Sequence, residues 1–308
     1  MATDSVVAVL DRSRVQEHHI GSPSKLSDYW ALTKPEINFL IAIATAAGFW
    51  MGIDAALPLF PWMRFLHAIL GTLLVASGAA ALNQLIELPF DAQMRRTARR
   101  PLVAGRVAPS HALWFGLLLS VVGVAYLATS NALASLLAAV TLASYLFLYT
   151  PLKRITPLCT LVGAIPGAAP PLIGWAAARG RLDAAAWVLF AIVFLWQFPH
   201  FMSIAWLYRE DYAHAGYRVL PSGENRNRFV MWQTVAPAAL LFLVGLIPTM
   251  TGLSGFAYFG VALAVGGVFL LYSAKFATHR TTAGARQLLM VSVLYLPAMF
   301  ALLVLDKK

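Results

Sequence analysis

Three side chains with oxygen donors, Asn83, Glu87 and Asp91, stand four residues apart, and Arg95, Arg96, Arg99 and Arg100 follow directly. On a continuous helix the first three would line one face, roughly 5–6 Å from one to the next. Pro89 interrupts that helix, because it cannot donate to the carbonyl of Leu85. The spacing therefore predicts Asn83 and Glu87 on the last turns of a helix and Asp91 just beyond the break. All three can still converge on one ion. Hard oxygen donors of this kind suit Mg²⁺, which takes one or two carboxylates along with waters and substrate phosphates. Arg96 and Arg100 can fork onto phosphate oxygens, which lysine cannot do. Lys153 and Arg154 would extend the basic wall. The chemistry expected of this segment is the holding of a metal-bridged diphosphate. For Arg95 and Arg99, anchoring to lipid headgroups is an equal alternative.

A second cluster runs from Trp196 to Pro221, WQFPHFMSIAWLYREDYAHAGYRVLP. Asp211 is the second candidate acid for the site, while Glu210 reads as a neutralising partner for Arg209. Two such acidic clusters on one membrane face would let two Mg²⁺ ions bridge a diphosphate. His200, after Pro199 and near Trp196 and Phe201, lies inside an apolar run. Ionisable groups are rare there and mark substrate contact or proton transfer, with helix packing as the plain alternative. Trp196, Tyr149 and Tyr212 are the aromatic candidates for substrate contact, although aromatic belts also place tyrosines near an interface.

The elements that must position these groups are membrane helices. Hydrophobic residues make up 60% of the 308 and charged residues 12%, with a mean hydropathy of +0.72. A soluble domain carries about 25% charged residues. Nine apolar runs, at 37–52, 65–86, 110–129, 131–149, 156–177, 184–208, 230–250, 256–274 and 287–305, approach the roughly 17–25 residues that a crossing helix needs. The chain reads as an all-α polytopic membrane protein. No basic domain stands apart from the spans, so the net charge of +10 does not indicate nucleic acid. The single cysteine, Cys159, excludes a disulfide framework. Residues 1–30 carry mixed charge without an apolar core. They read as a cytoplasmic tail ahead of one transmembrane domain, 31–308, and a bacterial inner membrane is the simplest home.

Lysine and arginine set the expected orientation. With the N-terminus inside, 18 of the 23 positive residues face the cytoplasm, leaving Arg64, Arg179, Arg181, Lys307 and Lys308 outside. That asymmetry predicts N-in, C-out, with the working face cytoplasmic. A weak repeat accompanies it. Pro35 and Pro157 open spans one and five, while Asp91 and Asp211 follow spans two and six. The offsets predict two related four-helix units plus a ninth helix, with the site where the halves meet.

Taken together, the blocks resemble one family. LTKP (32–35), NQLIELPFDAQMRRTARRPL (83–102), YTPLKRITP (149–157), GAAPPLIGW (167–175), WQFPHF (196–201) and REDYAHAG (209–216) are similar to the protohaem IX farnesyltransferases of the UbiA-type intramembrane prenyltransferase superfamily. The wider superfamily often has Asp where Glu87 stands, and usually a second Asp four residues before Asp211, where this chain has Leu207. The resemblance implies nine helices around a chamber open to lipid and capped by cytoplasmic loops. It also implies transfer of farnesyl from farnesyl diphosphate to haem B, with water addition, giving haem O. Haem A synthase or terminal-oxidase assembly factors are the implied partners. Prenylation of a quinone precursor is the alternative within the superfamily, and a secondary transporter of an organic anion the alternative outside it.

Overall fold

The structure is a computed structural model that describes residues 24–54, 59–223 and 225–308. Most of the expected N-terminal tail, residues 1–23 with Arg12 and Arg14, lies outside the described residues. The described chain is helical throughout, with one isolated β-bridge between Ser254 and Lys307. A short helix α1 (Lys25–Leu32) leads to α2 (Pro35–Gly52) and α3 (Trp62–Ile86), and a single-turn α4 (Leu88–Asp91) follows. Then come α5 (Pro109–Ser130), α6 (Ala132–Leu152), α7 (Cys159–Arg179), α8 (Ala184–Leu207) and the short α9 (Arg209–His214). The chain finishes with α10 (Asn225–Met250), α11 (Phe256–His279) and α12 (Thr282–Leu305). Among the described residues, 8 helices are long and apolar enough to cross a membrane: α3, α5, α6, α7, α8, α10, α11 and α12. The remaining expected span, α2, is a helix of 18 residues. This is a multi-pass membrane protein.

The helices close into a ring. Each expected span packs on the next in chain order, and α12 returns to pack on α2. Two helices that begin the proposed repeats, α2 and α7, also pack directly against each other. Lipid-like surroundings provide little hydrophobic drive between helices, so close backbone approach through small residues must hold them. Gly48 of α2 and Gly174 of α7 allow that approach. A Cβ on Gly48 would run into the backbone carbonyl of Pro171, and one on Gly174 into the carbonyl of Thr45. Large side chains fill the interior, with Trp175, Phe269 and Tyr295 almost wholly buried. The outer faces present Trp114, Leu118, Phe147 and Leu294, as lipid contact requires.

Three local features aim side chains into the ring. Helix α3 stops at Ile86, Glu87 forms its C-cap, and Pro89 sits in the first turn of α4. The break is where the sequence places it. Within α6, residues Ser144–Tyr149 form a π-helix. That wider turn rotates everything after it, Lys153 included, relative to a regular helix, and such turns gather at functional sites. Between α1 and α2, Lys34 adopts a left-handed backbone, φ 52 and ψ 65, immediately before Pro35. Few non-glycine residues tolerate this conformation, and it turns the Lys34 side chain inward.

Candidate active site

The ring encloses a chamber of about 500 Å³. One end is charged, lined by Lys34, Glu87, Asp91, Arg96, Arg100 and Lys153. Its body is apolar, built from residues such as Ile41, Val75, Ile173, Val193, Trp196 and Leu296. Asn83 is 1% exposed, Glu87 6% and Asp91 1%, so each polar atom must find a partner there.

The partners form a continuous network. Lys34 Nζ donates to Asn83 Oδ1 at 3.1 Å, and Asn83 Nδ2 donates to Thr150 Oγ1 at 3.2 Å. Thr150 Oγ1 in turn donates to the Tyr145 carbonyl at 2.8 Å, which fastens the π-helix to α3. Lys153 Nζ donates to Glu87 Oε1 at 2.7 Å and lies 4.5 Å from the Tyr149 ring centroid. Arg100 pairs directly with the Asp91 carboxylate. Thr97 Oγ1 holds the Asp91 carbonyl at 2.6 Å. Arg96 donates through Nη2 to Tyr212 Oη at 3.2 Å and sits 4.9 Å from the Tyr208 ring centroid.

Four basic side chains, Lys34, Arg96, Arg100 and Lys153, stand against two carboxylates at this end. Burial, followed by the nearby Arg100, brings the Lys34 ammonium down to a pKa of about 7. Burial would raise Glu87, but the Lys153 ammonium, with Lys34 and Arg100 behind it, holds its carboxyl below the usual range. Lys153 moves the opposite way: burial opposes its charge, and Tyr149 and Glu87 more than restore it. Asp91 is raised, because burial outweighs the pull of Arg100.

Ten of the twelve residues expected at the site line one chamber: Asn83, Glu87, Asp91, Arg96, Arg100, Tyr149, Lys153, Trp196, His200 and Tyr212. Asp211 and Arg154 stand outside its lining. Asp211 accepts a hydrogen bond from the Arg96 amide at 3.3 Å, and Arg154 stacks 4.1 Å from the Phe90 ring centroid. Arg95 and Arg99 are exposed. Glu210 pairs with Arg209 at 3.3 Å, the neutralising role expected of it. Sequence reasoning missed Lys34, Tyr145 and Tyr217. The Tyr217 hydroxyl is buried at this end, and burial together with Glu87 pushes its pKa up. Lys34 carried one available signal, a lysine directly before the proline that opens a span.

The donor set fits a hard cation. Asn83 Oδ1, Glu87 and Asp91 come from one turn-and-break of chain, all are oxygen donors, and basic groups now balance both carboxylates. Among the described residues, Glu87 and Asp91 are the carboxylates that line the chamber; Asp211 stands outside it, with Leu207 four residues before.

The pattern of the UbiA prenyltransferase family matches residues 40–302. This chain belongs to that family. A protoheme IX farnesyltransferase of Solibacter usitatus is 48% identical over 92% of this chain and 99% of its own length. Another, from Koribacter versatilis, is 45% identical over 93% of this chain and 95% of its own. Solved UbiA-type folds superimpose well. A digeranylgeranylglyceryl phosphate synthase aligns with TM-score 0.74 at 15% identity, covering 92% of this chain and 98% of its own. A UbiA homologue from Archaeoglobus fulgidus bound to GPP and Mg²⁺ aligns with TM-score 0.66 at 15% identity, covering 90% and 99%. These structures share the UbiA fold with this chain.

Proposed function

We propose that this chain transfers the farnesyl group of farnesyl diphosphate to a vinyl group of haem B, with addition of water, releasing haem O and diphosphate. The carrying observation is the chamber, with a cationic end and an apolar body, in a chain nearly half identical to named protoheme IX farnesyltransferases. In this reading haem B is a substrate, and the bilayer supplies both apolar reactants. Lys34, Arg96, Arg100 and Lys153 bind the diphosphate, and their positive field favours the charge that grows on it as the allylic C–O bond breaks. Glu87, Asp91 and Asn83 would hold Mg²⁺, which neutralises part of that charge. The apolar body shields the allylic cation from water until the haem vinyl group attacks it. Tyr149 and Tyr212 keep Lys153 and Arg96 in place through ring-face contacts. Asp211 positions the Arg96 backbone from outside the lining. The charged end faces the cytoplasm of a bacterial inner membrane, with the nine helices oriented N-in, C-out.

Purified protein incubated with haem B, Mg²⁺ and either farnesyl or geranylgeranyl diphosphate tests this by mass analysis of the porphyrin. Haem O is expected with the farnesyl donor. Asp91→Asn is expected to lose on the order of 10²-fold or more in kcat/KM while remaining folded in the membrane. Prenylation of a quinone precursor but not of haem would overturn the assignment.

A further inference from the structure

Beyond the diphosphate end, one polar side chain in the apolar body has a base lone pair uncommitted. His200 stacks on Trp196, with ring centroids 4.7 Å apart and planes 21° apart, and its Nδ1 lies 2.8 Å from Ser292 Oγ on α12. The Ser292 hydroxyl has one hydrogen, and it donates that to the Leu289 carbonyl at 2.6 Å. With that hydrogen on the Leu289 carbonyl, the serine accepts at Nδ1, which then carries the ring hydrogen and leaves Nε2 its unshared pair. His200 lines the chamber, and with Nδ1 committed to Ser292 on α12, Nε2 is the ring nitrogen left to serve it. Trp196 reinforces the arrangement by donating through Nε1 to the Ser292 carbonyl at 2.8 Å. Thr72 and Thr141 bond their own helices, and the Gln197 amide donates to Ala164 and Val193 carbonyls. His200 lies seven residues before the end of α8 at Leu207, about 10 Å from the helix end by the rise per residue.

We propose that His200 Nε2 is the general base for the water that adds to the haem side chain, and that Ser292 is the positioning residue that sets its tautomer. This rests on the farnesyl transfer proposed above. When the vinyl group attacks C1 of the farnesyl cation, the terminal vinyl carbon forms the new C–C bond. Positive charge is left on the carbon attached to the porphyrin ring. The water oxygen bonds to that carbon while one of its protons passes to Nε2. The imidazolium then returns the proton to bulk water or to the departing diphosphate. Without His200 to activate the water, the same cation instead gives up a proton from the adjacent CH₂ to diphosphate or water and yields an alkene lighter by one water.

The test is the ratio of hydrated to dehydrated farnesyl porphyrin, measured by mass analysis of single-turnover products from full-length protein. General bases contribute about 10²–10⁴-fold, so His200→Gln should shift product from the hydroxylated porphyrin to the alkene. Ser292→Ala, which leaves the histidine in place, should shift the ratio the same way by a smaller factor. Partition is read on whatever turnover remains, so partial loss of folded protein does not obscure it. An unchanged ratio in both variants overturns the proposal and leaves proton removal to diphosphate or bulk water. An unchanged ratio with an altered haem absorption spectrum also overturns it, by making His200 an iron ligand instead. Wild-type protein that forms no farnesylated porphyrin would defeat the underlying reaction, a separate failure.

Discussion

Lys153 and Glu87 have side chains 15% and 8% exposed and hold each other at 2.7 Å. Each is the other's direct counterion. Removing one partner of a buried pair strands the other charge, which costs about 3–5 kcal/mol. Lys153→Met should therefore lower the unfolding temperature in detergent. The double variant Lys153→Met with Glu87→Gln should recover much of that loss, because no lone charge remains. Activity should stay absent in both, since the diphosphate end has lost a cation. A double variant as unstable as the single one would show that packing, and not the stranded carboxylate, governs this position. His200 illustrates a different lesson. Its residue type marked it from the sequence, but the tautomer depends on Ser292, 92 positions away, and no local pattern carries that.

Among the elements, α2 and α7 depend most on surface shape. Gly174→Val would force the helices apart at the Thr45 carbonyl, and overpacking of this kind costs about 1–3 kcal/mol. Gly267→Ala on α11 is the matched control, because a Cβ there meets nothing within 4 Å. It should be neutral or stabilising, as alanine is a better helix former by about 0.5–1 kcal/mol. Thermal unfolding of the two variants in one detergent checks the contrast. The helices themselves were legible. Apolar run lengths placed eight spans, with ends up to five residues off, and Pro89 placed the break between α3 and α4, because both depend on local composition. The π-helix at Ser144–Tyr149 was not legible, since no residue in SYLFLY forbids an ordinary helix. It packs against α3 and α7, contacts that no local pattern encodes. Lys34 was overlooked for a related reason. A lysine flanking a span reads as a headgroup anchor until the left-handed backbone turns it inward.

For the whole molecule, the chamber's charged residues gather at one end of the ring, and the short connections at Asn131 and Thr251 lie at the other, near Arg179, Asp183 and Lys307. The proposed orientation predicts that a membrane-impermeant thiol reagent applied to intact cells labels Thr251→Cys but not Ala213→Cys. Both positions are exposed, and the native Cys159 is buried. The reverse pattern would invert the assigned topology. Global stability is also the scale at which the backbone of Lys34 has its consequence. A non-glycine residue held at φ 52 carries a strain of about 1–3 kcal/mol, and this one places an ammonium among other cations as well. Lys34→Gly relieves both burdens, so the variant should unfold no more easily than the parent while losing affinity for farnesyl diphosphate. Selection for robustness alone would discard the lysine. On the proposed function, its presence trades durability at this position for grip on the diphosphate.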